Sequence, residues 1–136
     1  LEEADVVSLH LPLTDGTHHI INKDRIKHMK DHAILVNTGR GGLVNIDDVV
    51  EALETGKLKG AALDVLECET LYVNQKIDPK KIEGTVVETL MSMDNVVLTG
   101  HFEFFTETAV DNMVSTALDN LKVEIETGKV QNCMNA

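Results

Sequence analysis

At 136 residues, the chain has the length of one compact domain, and a 43% hydrophobic content lets it bury a core. A net charge of -11 would be repelled by a phosphate backbone, which argues against nucleic acid as a partner, and no apolar run approaches the ~20 residues that span a bilayer. Two cysteines, Cys68 and Cys133, stand far apart without a CxxC spacing, so a disulfide framework is not expected and a reducing cytoplasm is.

Leu1-Glu2-Glu3-Ala4 reads as the tail of a helix, and the sequence reads as beginning inside a longer chain. Asp5 to Leu11 is rich in apolar and β-branched residues and predicts a first strand, stopped by Pro12. Thr14-Asp15-Gly16-Thr17 is a turn, and Asn22 caps a short helix to about Met29. Ala33 to Asn37 predicts a second strand. It runs into Thr38-Gly39-Arg40-Gly41-Gly42, where three glycines permit close backbone approach and one arginine offers a planar fork for a carboxylate. A helix over Ile46–Thr55 follows, with Asn45 as its cap, Asp47 and Asp48 in its first turn, and Gly56 closing it in the left-handed conformation.

A third strand is expected within Leu58–Leu66, a loop over Thr70–Lys81, and a helix over Thr85–Met91. The fourth strand is Asn95–Thr99, followed at once by Gly100-His101. The last helix is the clearest element, with Val110, Met113, Val114, Ala117, Leu118, Leu121 and Ile125 at helical spacing. Thr106 caps it, Phe105 is placed to staple onto Val110, and Gly128 ends it. Alternating strands and helices, with continuous apolar strands, predict a parallel α/β sheet covered by helices on both faces and joined by right-handed crossovers.

In such a sheet the C-terminal ends of all strands share one edge. Residues far apart in sequence then gather there: Leu11 and Pro12 after the first strand, Thr38, Gly39 and Arg40 after the second, Asp64, Glu67 and Glu69 after the third, and His101 after the fourth. The types suit reduction of a 2-keto acid: Arg40 anchors the acid group, His101 moves a proton, and Glu69 orients the imidazole. Each residue also has a plainer reading, as a solvated loop charge or a structural histidine, which their joint placement at strand ends weakens. His28 and His32 lack a third metal ligand nearby, and the loop pair His18-His19 has no partner pattern, so no metal site is expected.

Four segments carry a resemblance: Ala4 to Thr14, Ile34 to Val44, Ala61 to Glu69, and Val97 to His101. In their order and spacing they resemble the C-terminal half of the nucleotide-binding domain of the D-isomer-specific 2-hydroxyacid dehydrogenases, and most of all the D-lactate dehydrogenase branch. The resemblance implies a Rossmann-like, doubly wound parallel sheet, second half only, with a long C-terminal helix. It implies NAD as cofactor, with Leu11, Pro12 and Thr17 lining its site, Thr38, Gly39 and Arg40 at the nicotinamide end, and Asp64 beside the nicotinamide. Arg40 would bind the substrate carboxylate, His101 would be the acid/base with Glu69 as its partner, and Phe102 and Phe105 would bound the pocket.

The sequence departs from the family pattern in placing Gly100 where proline is usual, Glu103 where a small residue is usual, Asn45 for aspartate and Thr70 for proline. No G-x-G-x-x-G occurs, so the glycine-fingerprint half and the substrate domain are expected to lie outside residues 1–136. The chain would then hold the catalytic trio with half of a cofactor cleft, and be inactive alone. An exposed apolar strand edge in such a half-domain predicts self-association or a homodimer. The alternative reading is a non-catalytic, nucleotide-sensing binding module or an inactive truncated remnant of the same fold.

Overall fold

The computed structural model describes residues 1–69, 73 and 78–129. The chain divides into two compact units, Leu1–Phe102 and Glu103–Ala136.

In the first unit the elements follow as β1 (Val6–Leu9), α1 (Lys23–Lys27), β2 (Ala33–Asn37), a single 3-10 turn (Gly41–Leu43), α2 (Ile46–Glu54), β3 (Leu58–Leu63), α3 (Pro79–Ile82), α4 (Val86–Ser92) and β4 (Val96–Leu98). The caps are those their side chains favour. The amide oxygen of Asn22 accepts from the Arg25 N–H and that of Asn45 from the Asp48 N–H, each satisfying a donor that a helix start leaves open. Gly56 follows α2 with φ +75°, a conformation that costs glycine nothing.

The four strands form one all-parallel sheet in the order β1-β2-β3-β4. Successive right-handed crossovers that each step the same way place their helices on the same face. α2 accordingly packs against α1, α4 and β3, and the core collects there: Leu35, Leu58, Leu63, Val49, Val87 and Leu90 are essentially inaccessible. Burial along β2 alternates, with Ala33, Leu35 and Asn37 buried and Ile34 and Val36 half-buried. The expected cover on both faces is thus met on one face within this unit. β1 is an edge strand, and Val6 on it is exposed.

Several boundaries differ from expectation, beginning with β1, which is Val6–Leu9 rather than Asp5–Leu11. β3 stops at Leu63 rather than Leu66, because its last partner on β2 is Asn37; Val65 and Leu66 are buried beyond the strand. α1 ends at Lys27, with His28 as its cap. Part of the expected Thr70–Lys81 loop is helical: Pro79, which needs no N–H partner, starts α3, and the Asp78 carboxylate accepts from the Lys80 N–H. Residues 70–72 and 74–77 of that loop lie outside the described residues.

The second unit is dominated by α5 (Glu107–Thr127). The Thr106 hydroxyl accepts from the Ala109 N–H, and Gly128 closes the helix at φ +67°. Phe105 does not staple: it is exposed and meets the Phe104 ring edge-on, with centroids 6.3 Å apart.

Candidate active site

The register fixes where the functional residues stand. Leu9 pairs with Asn37, Asn37 with Leu63, and Leu63 with Leu98, so the last residues of all four strands form one row. The ladder continues one step further, with the Asp64 N–H donating to the Asn37 carbonyl and the Thr99 N–H to the Leu63 carbonyl, both at 3.0 Å. The residues after that row emerge together at one edge of the sheet.

After β1, the chain turns through Leu11 and Pro12. The Thr17 hydroxyl donates to the Pro12 carbonyl at 2.8 Å and accepts from the Thr14 N–H at 2.7 Å, which fixes this loop. The loop lies against the chain after β2: a Cβ built on Gly39 would stand 3.4 Å from the carbonyl oxygens of both Leu9 and Leu11. Beside it, the Thr38 hydroxyl is buried and has no hydrogen-bond partner among the described residues. A buried hydroxyl without a partner calls for a polar ligand atom.

Asn37, fully buried, clamps the Arg40 loop from beneath. Its amide nitrogen donates to the Arg40 carbonyl at 3.0 Å and its oxygen accepts from the Gly39 N–H at 3.1 Å. Asn37→Leu keeps the bulk, takes the partner from the Gly39 N–H and leaves the Arg40 carbonyl with the Leu43 N–H alone, so the urea unfolding midpoint should fall by the equivalent of about 1–3 kcal/mol. The loop also presses on the chain after β3. A Cβ on Gly41 would overlap the backbone of Leu66 and Glu67, so no larger residue fits there without moving one of the two segments. The exposed Arg40 guanidinium donates from Nη1 to the Gly39 carbonyl at 2.7 Å.

Asp64, 5% exposed, holds the other half of the site together. Its carboxylate Oδ1 accepts from the Thr99 hydroxyl in a short hydrogen bond and from the Phe102 N–H at 2.9 Å. Its backbone carbonyl accepts from the His101 N–H at 2.9 Å. His101 itself has φ +62°, an uncommon conformation for a residue with a Cβ, and these bonds from Asp64 hold the turn in it. The imidazole Nδ1 of His101 then lies 3.3 Å from Oε2 of Glu69, with both side chains about one-third exposed (32% and 31%). Between these acids, burial and the charges of Glu67 and Glu69 push the Cys68 thiol up, which makes it a poor nucleophile.

The sequence places Leu11, Pro12, Thr38, Gly39, Arg40, Asp64, Glu69 and His101 at strand ends, with Thr17 added by the family resemblance, and the structure joins them in two sets: the β1 and β2 loops around Gly39, and Asp64 with His101 and Glu69. Direct contact between Arg40 and the His101–Glu69 pair is not among the described interactions. Asn37 and Thr99 went unnoticed in the sequence. A polar residue closing an apolar strand was the available signal for both.

Residues 1–102 match the family model of the D-isomer specific 2-hydroxyacid dehydrogenase NAD-binding domain. A D-2-hydroxyacid dehydrogenase (NAD(+)) of Clostridioides difficile is 47% identical over 135 residues, 99% of this chain and 41% of that protein. The D-lactate dehydrogenase of Lactiplantibacillus plantarum is 42% identical over 127 residues, 93% of this chain and 38% of that protein. The NAD-complexed D-isomer specific 2-hydroxyacid dehydrogenase of Lactobacillus delbrueckii ssp. bulgaricus superposes with a TM-score of 0.87 at 38% identity, over 97% of this chain and 40% of that one. The chain therefore spans about two fifths of the length of these relatives, at 38–41%.

Proposed function

Because the chain belongs to the D-isomer specific 2-hydroxyacid dehydrogenases through their NAD-binding domain, we propose that it is the C-terminal part of that domain in an enzyme that reversibly reduces a 2-keto acid of pyruvate type to the D-2-hydroxy acid. The observation that carries this reading is the His101–Glu69 pair, 3.3 Å apart at the edge where the four strands end. The glycine fingerprint and the substrate domain would be supplied from outside residues 1–136.

NAD fits the residues present. The unpartnered Thr38 hydroxyl offers a polar atom, the bare backbone at Gly39 lets the loop after β1 close up beside it, and Leu11, Pro12 and Thr17 stand on that adjoining loop. Thr38, Gly39, Arg40 and Asp64 would hold its nicotinamide end, and the cofactor, when bound, supplies the hydride. Arg40 would swing its guanidinium from the Gly39 carbonyl onto the substrate carboxylate, in a two-point grip that sets the keto carbon in place. His101, with Nδ1 turned to Glu69, would hand the proton on its Nε2 to the keto oxygen, and take it back in the oxidative direction. Glu69 would keep the imidazole oriented for that transfer, and Asp64 would fix the turn that carries it.

The test uses the purified 136-residue chain with NADH and pyruvate, together with light scattering. The expected result is no turnover, since half the cleft is lacking, and a mass above the monomer through the β1 edge. Turnover by a monomer of this chain would show that no second half is required and would overturn the half-cleft reading.

A further inference from the structure

The loop pair His18-His19, without a partner in the sequence pattern, acquires one through the fold. Nε2 of His18 and Nε2 of His19 each lie 3.2 Å from the same carboxylate oxygen, Oε1 of Glu67. Consecutive side chains ordinarily diverge. Here His19 takes φ +48°, in the left-handed region, and the two imidazoles stack with centroids 3.9 Å apart and planes 25° from parallel. Both rings thus turn the same nitrogen to one point.

We propose that His18, His19 and Glu67 form a binding site for a borderline divalent cation of the zinc type. All three donor atoms lie within 4.8 Å of one another. The 3.2 Å separations match the edge of a tetrahedron around an ion with bonds of about 2.0–2.1 Å. Two imidazoles and one carboxylate are the ligand types such ions take, with a fourth position left for water. The chemistry separates the site from a calcium site, which takes oxygen ligands alone. His18 and Glu67 are about half exposed and His19 is 31% exposed, so an ion can enter from solvent. The chain's net charge of -11 favours a cation.

Such an ion would clip the loop after β1, which bears Pro12 and Thr17, to the segment after β3, two residues before Glu69. The role is structural: it ties together the two segments that the Arg40 loop already touches at Gly41 and Gly42. It does not depend on the reading of the His101–Glu69 pair.

The experiment titrates the full-length protein that carries this chain with Zn2+ against a competing chromophoric chelator, and with Co2+ by visible spectroscopy. One saturable site per chain is expected, weakening as pH falls and the imidazoles protonate. His18→Gln and Glu67→Gln should each weaken it by at least about tenfold, because loss of a ligand costs no less than loss of a group supporting one. His28→Gln should leave it unchanged. Both ligand substitutions sit at exposed positions, and circular dichroism checks that each variant is folded. The Co2+ complex should show d–d bands without a thiolate charge-transfer band, in wild type and in Cys68→Ser alike. Absence of saturable binding below millimolar metal, equal binding by the ligand variants, or a thiolate band lost in Cys68→Ser would each overturn the site.

Discussion

His101→Ala, in the full-length protein that carries this chain, is expected to lower kcat for keto-acid reduction by about 10²–10⁴-fold, the span that one positioned acid/base group contributes. NADH affinity should stay unchanged, because the proposed cofactor contacts lie on Thr38, Gly39, Arg40, Asp64 and the loop after β1 rather than on the imidazole. The structural reason to expect a large effect is the effort spent on one side chain. Asp64 uses its carboxylate on Thr99 and Phe102 and its carbonyl on His101, and so holds a residue at φ +62°. Glu69 then fixes the ring. Glu69→Gln keeps a hydrogen-bonding group at that position and should cost less in kcat than His101→Ala. Stopped-flow NADH fluorescence separates binding from turnover. Full kcat in His101→Ala would move the proton route elsewhere.

Arg40→Lys is expected to raise KM for the keto acid by about 10²-fold, and Arg40→Gln by more, with the folded stability of the chain unchanged. A lysine keeps the charge and loses the fork, and a carboxylate held at two points is bound far better than one held at one. Stability is spared because the guanidinium is exposed and makes one described hydrogen bond, to the neighbouring carbonyl of Gly39. The loop is held instead by Asn37 and by the close packing at Gly41, neither of which the substitution touches. Steady-state kinetics beside a urea titration reads both quantities. An unchanged KM in Arg40→Lys would remove Arg40 from substrate binding.

Much of this arrangement is legible in the residues because strands and their chemistry are adjacent in sequence. Ala33–Asn37 runs straight into Arg40, and Val96–Leu98 runs into His101 within three residues. Period and caps locate the helices for a similar reason: Asn22, Asn45 and Thr106 each bond a backbone N–H three residues ahead, a local event. What depends on pairing is not legible. The row Leu9, Asn37, Leu63 and Leu98 is set by register, and register decides that Asp64 rather than Glu67 meets Thr99.

The same holds for the sheet faces. Val36 and Leu35 are equally apolar in sequence, yet only Leu35 is inaccessible, because the crossovers put the helices of this unit on one side. His18, His19 and Glu67 meet across 48 residues of sequence, and only after β2 and β3 have brought the two loops to one edge. α3 was missed because a four-residue helix has too little length to show a period; Asp78-Pro79, a cap followed by proline, was the local sign.

The most direct test of the central claim follows the transferred hydrogen. The full-length protein is incubated with pyruvate and NADH carrying deuterium at the transferable C4 position, and the hydroxy acid is resolved on a chiral column and weighed by mass spectrometry. The account predicts D-lactate with deuterium at C2 and its hydroxyl proton drawn from solvent through His101. L-lactate, a product without the label, or no reduction of any 2-keto acid would contradict it.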